Sequence, residues 1–161
     1  MSRPTGAPSR RRAGLRAAIV LAVVLATDQI VKALVTGALA RGEERDIVAS
    51  IKLVNTRNSG VAFGQLQNGG AIVSVVIALA LAALLVFFVR NAQRPLVWLP
   101  TGMLLGGALG NIVDRVREGA VVDFLKLPHW PAFNVADASI TFGVVILLVV
   151  IERGDRAASR G

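Results

Sequence analysis

The sequence predicts an all-α integral membrane protein of four transmembrane helices, with both termini cytoplasmic and a small extracytoplasmic β element in the first outer loop. Three observations carry that expectation. The 161-residue chain is 54% hydrophobic and only 17% charged, which is more apolar surface than one soluble core of this size can hide. Four apolar runs approach the roughly 20 helical residues that a bilayer core requires. The basic residues, finally, are distributed unevenly among the loops that those runs create.

The first run, Ala17–Val35, is 19 residues long and carries only Asp28 and Lys32 as charges. Gly69–Val89 has 21 residues and Leu96–Val113 has 18, both without a charge. Val135–Ile151 has 17 residues and one charge, Asp137. The spans are therefore expected at about 17–35, 69–89, 96–113 and 135–151, inside a single membrane domain of residues 15–152. Residues 1–14 read as a disordered basic cytoplasmic tail, rich in Arg, Pro, Ser and Gly, and 153–161 as a second cytoplasmic tail. Arg10–Arg16 followed by Ala17–Ala26 also resembles a secretory signal, but the apolar run continues past its candidate cleavage site.

Charge orients the spans. The two tails and the loop between spans two and three hold 10 Lys and Arg against Glu152 and Asp155. The remaining segments hold 8 basic and 8 acidic residues, so the whole net charge of +8 lies on one side. Lys and Arg accumulate on the cytoplasmic face, which leaves 36–68 and 114–134 facing outward. A pI near 11.6 would point to nucleic acid in a soluble protein. Here the excess is read as topogenic, able also to meet anionic lipid, and no nucleic-acid partner is expected.

The first outer loop has a strand-like piece, Asp46–Val54, followed by a turn-like "NTRNSG". In span three, Gly102, Gly106 and Gly110 recur every four residues, a spacing that lets another backbone approach closely. Pro100 near the start of that span would cap or kink it. Span two has no comparable feature and reads as packing.

The polar residues inside or beside the spans carry the chemistry. An ionisable group in a span costs about 2.5–3.5 kcal/mol on insertion scales and tends to face a protein interior. On the expected topology Asp28 and Lys32, Asn111, Asp114 and Arg115, and Asn134 and Asp137 all converge on the outer leaflet. Asp123 lies in the loop between the last two spans. Each has a structural reading. Asp28 and Lys32 form an i,i+4 ion pair; Asn111 and Arg115 close a helix end; Asn134 and Asp137 form an N-cap with its acidic partner. Asp123 reads as a loop acid, and His129 with Trp130 as interfacial anchors.

The absence of cysteine and the single histidine exclude disulfides, thiol chemistry and a multi-His metal site, and make a Ser-His-Asp triad hard to build. Asp123 and Asp137 are separated by 13 residues that include Pro128 and Pro131, enough chain to turn one acid back toward the other. Two close carboxylates share a proton, so one serves as acid and the other as base. Spacing alone suggests that pair and goes no further. A proton-coupled transporter or channel subunit using Asp28, Asp114 and Asp137 stays open at this point, as does a membrane scaffold built on the glycine face.

Five short blocks then resemble one family: "TDQIVK" (27–32), "NSGVAF" (58–63), "GNIVDR" (110–115), "VVDF" (121–124) and "FNVAD" (133–137). In this order and on this four-span plan the chain resembles the lipoprotein signal peptidases, or signal peptidase II, aspartic peptidases of the bacterial cytoplasmic membrane. The resemblance implies removal of the signal peptide from diacylglyceryl-modified prolipoproteins, with cleavage just before the lipidated cysteine. It implies that Asp123 and Asp137 are the catalytic dyad, at the extracytoplasmic face. Asn111, Asp114 and Arg115 would order the site, Asn134 would flank Asp137, and Asp28 and Lys32 would support it from span one. Asn58 and Gly60 would belong to the outer loop near the substrate. No cofactor or metal is implied. The expected partners are lipidated prolipoproteins and membrane lipid, and the chain is expected to act as a monomer.

Overall fold

A computed structural model of the protein describes residues 9–59 and 69–158. Helix α1 (Arg10–Ala38) leads into strands β1 (Glu44–Val48) and β2 (Ile51–Asn58). Helices α2 (Gly69–Asn91) and α3 (Trp98–Glu118), strand β3 (Val121–Lys126) and helix α4 (Val135–Ala158) follow. Helix α1 and the Val135–Gly154 stretch of α4 are long and apolar enough to cross a membrane, and only 17% of each apolar window is buried in the protein. A core helix of a soluble protein would be mostly buried. Instead Ile19, Val23, Ile30 and Leu34 on α1, and Phe142, Val145 and Leu148 on α4, are each more than half exposed, an apolar exterior suited to lipid.

The helices outrun the apolar runs that announce them. α1 starts at Arg10 because the Ser9 side chain accepts from the Arg12 amide at 3.3 Å and caps it. Residues 10–14 are thus helical, where a disordered tail was expected. α4 likewise continues to Ala158 through the expected second tail, helped by an Arg156–Glu152 pair at 2.6 Å. Hydropathy marks membrane depth, whereas helix hydrogen bonding continues through good helix formers such as Arg and Glu. α3 ends on Gly119, whose φ of 72° places it in the left-handed region and whose N–H returns to the Arg115 carbonyl. Pro100 stands in the first turn of α3, where no helical N–H partner is needed, so it starts the helix and breaks nothing.

The glycine face of α3 does what its spacing predicts. A Cβ on Gly102 would come 2.6 Å from the Ala17 carbonyl oxygen, and one on Gly106 would come 2.8 Å from that of Leu21. α1 therefore lies directly on the α3 backbone. Gly107, beside that row, does the same for α4: its Cβ would meet the Ala136 carbonyl oxygen at 2.5 Å. α3 is the shared wall between α1 and α4, and α2 makes its main contact with α3.

The expected strand Asp46–Val54 is in fact a hairpin. Ala49 and Ser50 take φ values of 48° and 67°, the paired positive angles of a tight hairpin turn. β2 then runs on through "NTRN", which read as a turn, to Asn58. The sheet is antiparallel in the order β1-β2-β3, and its third strand carries Asp123, opposite Thr56 of β2. Asp123 is a strand residue where a loop residue was expected. Val35, Leu39 and Phe124 form a buried cluster with Val31, Leu53, Leu125 and Val135 against it. That cluster fixes the sheet on the end of α1. Burying a side chain of this size contributes about 1.5–3 kcal/mol.

Candidate active site

The chain between β3 and α4 decides where the two acids stand. Leu127 to Trp130 form a turn in which the Trp130 amide donates to the Leu127 carbonyl at 3.2 Å. Pro128 occupies its second position and His129, with φ 59°, its third, the pattern of a type II turn. The returning chain pairs with β3: the Leu125 and Phe133 amides each donate to the other residue's carbonyl oxygen at 2.9 Å. α4 therefore begins beside the strand that carries Asp123. Trp130 stays 64% exposed on this turn, as an interfacial anchor would.

At the start of α4 the predicted cap is present. The Asp137 amide donates to the Asn134 Oδ1 at 2.8 Å, and the Asn134 amide donates to the Asp137 Oδ2 at 3.4 Å. This reciprocal box fixes the Asp137 carboxylate at the positive end of the helix. Its Oδ1 accepts from the Asn111 side-chain amide at 2.8 Å. Asp137 remains half-buried, so it keeps access to the site.

The same Asn134 holds the second acid. Its Nδ2 donates to the Asp123 Oδ1 at 2.8 Å, while Asn58 Nδ2 donates to the other oxygen at 3.0 Å. Asp123 is almost fully buried, 1% exposed. Burial pushes its carboxyl up to about 6; the hydrogen bond from Asn58 opposes that rise, the Asp137 charge adds to it, and Asn134 and Lys32 oppose it. One asparagine thus touches both carboxylates, and their charges interact.

Behind the pair lies a buried ion cluster. Lys32 on α1 sits 2.6 Å from Asp28 and 2.7 Å from Asp114. It also donates to the Asn111 Oδ1 at 3.3 Å. The expected i,i+4 pair is therefore real, but it is one side of a bridge from α1 to α3. Each carboxylate has a further task. Asp28 Oδ1 accepts from the Ala136 amide of α4 at 2.9 Å, and Asp114 Oδ2 accepts from the Val122 amide of β3 at 3.1 Å. The cluster thus anchors both elements that carry the acids. Among the described residues no buried side-chain polar atom lacks a partner.

Arg115 donates to the Asn111 carbonyl oxygen at 3.3 Å, so its link to the acids runs through that residue. Gly60 lies outside the described residues. Gln29 is a member that the motif reading missed. Its amide donates to Asp114 at 3.0 Å and to both Asp28 and the Gly110 carbonyl at 3.3 Å. An uncharged glutamine between Asp28 and Ile30 gives no signal of its own; only its position one residue after an in-span acid could have marked it. Over Asp123 opens a cleft of about 440 Å³, walled by Asn58 and Ser59 of the hairpin side, by Glu44, and by Pro131.

Comparison with known proteins bears on this arrangement. A family model described as "Signal peptidase (SPase) II" matches residues 20–152. The chain is 36% identical over 134 residues to a lipoprotein signal peptidase of Halothermothrix orenii, covering 83% of this chain and 92% of the relative. It is 42% identical over 127 residues to one from Moorella thermoacetica, covering 78% and 85%. With that of Symbiobacterium thermophilum it shares 42% over 146 residues, covering 84% and 95%. A solved bacterial membrane enzyme, determined by the in meso method at 1.9 Å resolution, superposes with a TM-score of 0.78. It is 30% identical, and the match covers 84% of this chain and 91% of that one. A transporter subunit or a bare scaffold is not favoured by these matches. The match runs through every element that bears a buried acid, and on that ground the chain belongs to the signal peptidase II family and is an aspartic-type signal peptidase.

Proposed function

We propose that the protein is an intramembrane aspartic endopeptidase that removes the signal peptide from diacylglyceryl-modified prolipoproteins, cutting before the lipidated cysteine. Its relatives are named lipoprotein signal peptidases, and the observation that carries the mechanism is the pair of acids held on one asparagine. Asp123, whose carboxyl burial pushes up to about 6, is the partner that supplies the proton. Asp137, whose carboxylate accepts from the Asn111 side chain and the Asn134 amide, is the partner that takes the proton from water.

The reaction follows from those two roles. Asp137 takes a proton from water as the water oxygen bonds to the scissile carbonyl carbon. Asp123 gives its proton to the carbonyl oxygen, leaving a neutral diol. Asp137 then passes its proton to the amide nitrogen as the C–N bond breaks, and a diol proton returns to Asp123. The chemistry requires no metal. Asn111, Asn134 and Asn58 hold the carboxylates in place, while Asp28, Lys32, Gln29 and Asp114 hold the elements that carry them.

The proposed setting is the bacterial cytoplasmic membrane, crossed four times, with both termini in the cytoplasm and the dyad at the extracytoplasmic face. The one-sided +8 charge supports this orientation. The enzyme acts as a monomer, with the acyl chains of its substrate in the surrounding lipid. A gel-shift assay on one precursor, with and without its diacylglyceryl group, tests the assignment. Cleavage of the lipidated form alone, with a product beginning at the modified cysteine, is expected. Equal cleavage of both forms would contradict the substrate class.

A further inference from the structure

A second cleft, of about 630 Å³, lies at the other end of α4 from Asp137, against the turn between α2 and α3. Along α4, Val145, Val149 and Arg153 recur every four residues and line it; Leu96 and Arg94 line it from the turn. Val145, Val149 and Leu96 are 54%, 40% and 51% exposed. The cleft is thus an apolar groove that becomes cationic toward the end of the helix. Gly154 leaves room for this: a Cβ there would come 3.4 Å from the Arg94 Nη1, so the guanidinium reaches across to α4. None of these residues contributes to the candidate active site.

Two features of the groove select its occupant. Its apolar walls disfavour a polar solute and suit a hydrocarbon chain. Its two guanidinium groups suit the oxygens of a phosphodiester. Basic pockets between membrane helices on the cytoplasmic side are a recurring arrangement for anionic head groups. We propose that this groove binds an anionic phospholipid of the cytoplasmic leaflet, its phosphodiester between Arg94 and Arg153 and one acyl chain along Val145 and Val149. The choice of leaflet rests on the topology proposed above.

The test uses the full-length protein in detergent, titrated with phosphatidylglycerol or phosphatidylcholine of identical acyl chains and read by native mass spectrometry. Phosphatidylglycerol should bind about thirtyfold more tightly, as two basic groups near a lipid head imply. R94Q/R153Q should abolish that preference, and Val149→Trp, which fills the groove, should reduce binding of both lipids. Millimolar inorganic phosphate should not displace the lipid. Equal affinity for the two lipids, a preference that survives R94Q/R153Q, binding unaffected by Val149→Trp, or displacement by phosphate would each overturn the proposal. Precursor cleavage separates this idea from the peptidase reading. Asp123→Asn should keep the phosphatidylglycerol preference and lose cleavage, and R94Q/R153Q should lose the preference and keep cleavage; loss of both properties in either variant would refute the separate site.

Discussion

Asp28, buried in α1, accepts a hydrogen bond from the backbone amide of Ala136 in the first turn of α4, 2.9 Å away. The residues are 108 positions apart in sequence, yet this bond sets the start of the helix that carries Asp137. The same carboxylate meets Lys32 at 2.6 Å. It therefore joins the charge cluster to the site through one side chain.

Removing it should be costly. Asp28→Ala leaves Lys32 with Asp114 as its one remaining carboxylate and the Ala136 amide without its acceptor, and breaking a buried pair costs about 3–5 kcal/mol. Asp28→Asn keeps an acceptor for the amide but loses the charge and turns a donor toward Lys32 and Gln29. Thermal unfolding in detergent should rank wild type above Asp28→Asn and Asp28→Ala last. Equal midpoints for the two variants would show that the amide bond contributes nothing.

The glycines of α3 should divide from those elsewhere. Gly107→Ala places a methyl 2.5 Å from the Ala136 carbonyl oxygen, and overpacking of this kind costs about 1–3 kcal/mol. Gly14→Ala, on α1, meets nothing within 4 Å and should stabilise its helix by up to about 1 kcal/mol. The thermal midpoints of the two variants should move in opposite directions.

Much of this was legible in the sequence. The four apolar runs each overlap a helix, two of them long and apolar enough to cross a membrane, and the cap formed by Asn134 and Asp137, the Asp28–Lys32 pair and the glycine row are present. Features set by tertiary pairing were hidden. "VVDFLK" is too short to separate from a loop, and it becomes β3 only because β2 offers an edge and Phe133 pairs with the other side. The hairpin turn uses Ala49 and Ser50, residues that seldom take positive φ, so the usual Asn-Gly signal is missing. Gln29 and Gly107 matter through partners on other helices, which no spacing along their own helix discloses.

The raised pKa of Asp123 gives a pH dependence with a definite sign. A carboxyl pushed up to about 6 is protonated below that pH and loses the proton as pH rises through it. If it is the proton-bearing partner, kcat/KM for a lipidated precursor should fall as pH rises through about 6. Asn58 donates to this carboxylate and opposes the rise, so Asn58→Ala should move the falling limb to higher pH. A limb that stays in place in this variant would assign the titration to another group.

Asn134 connects the acids, and its loss should act on catalysis more than on binding. Asn134→Ala removes the donor to Asp123 and the cap acceptor for the Asp137 amide together. Misplacing reacting groups by about 1 Å commonly costs on the order of 100-fold in rate. The kinetic prediction is a fall in kcat of that size with little change in KM. A rise in KM at unchanged kcat would place Asn134 in substrate binding.

The most direct test of the dyad is single-turnover cleavage of a lipidated precursor by Asp123→Asn and by Asp137→Asn, each first verified by its thermal midpoint. Both substitutions preserve shape, and each removes one proton-transferring group. The account predicts two folded, membrane-inserted proteins that yield no product. Wild-type cleavage by either variant would contradict it.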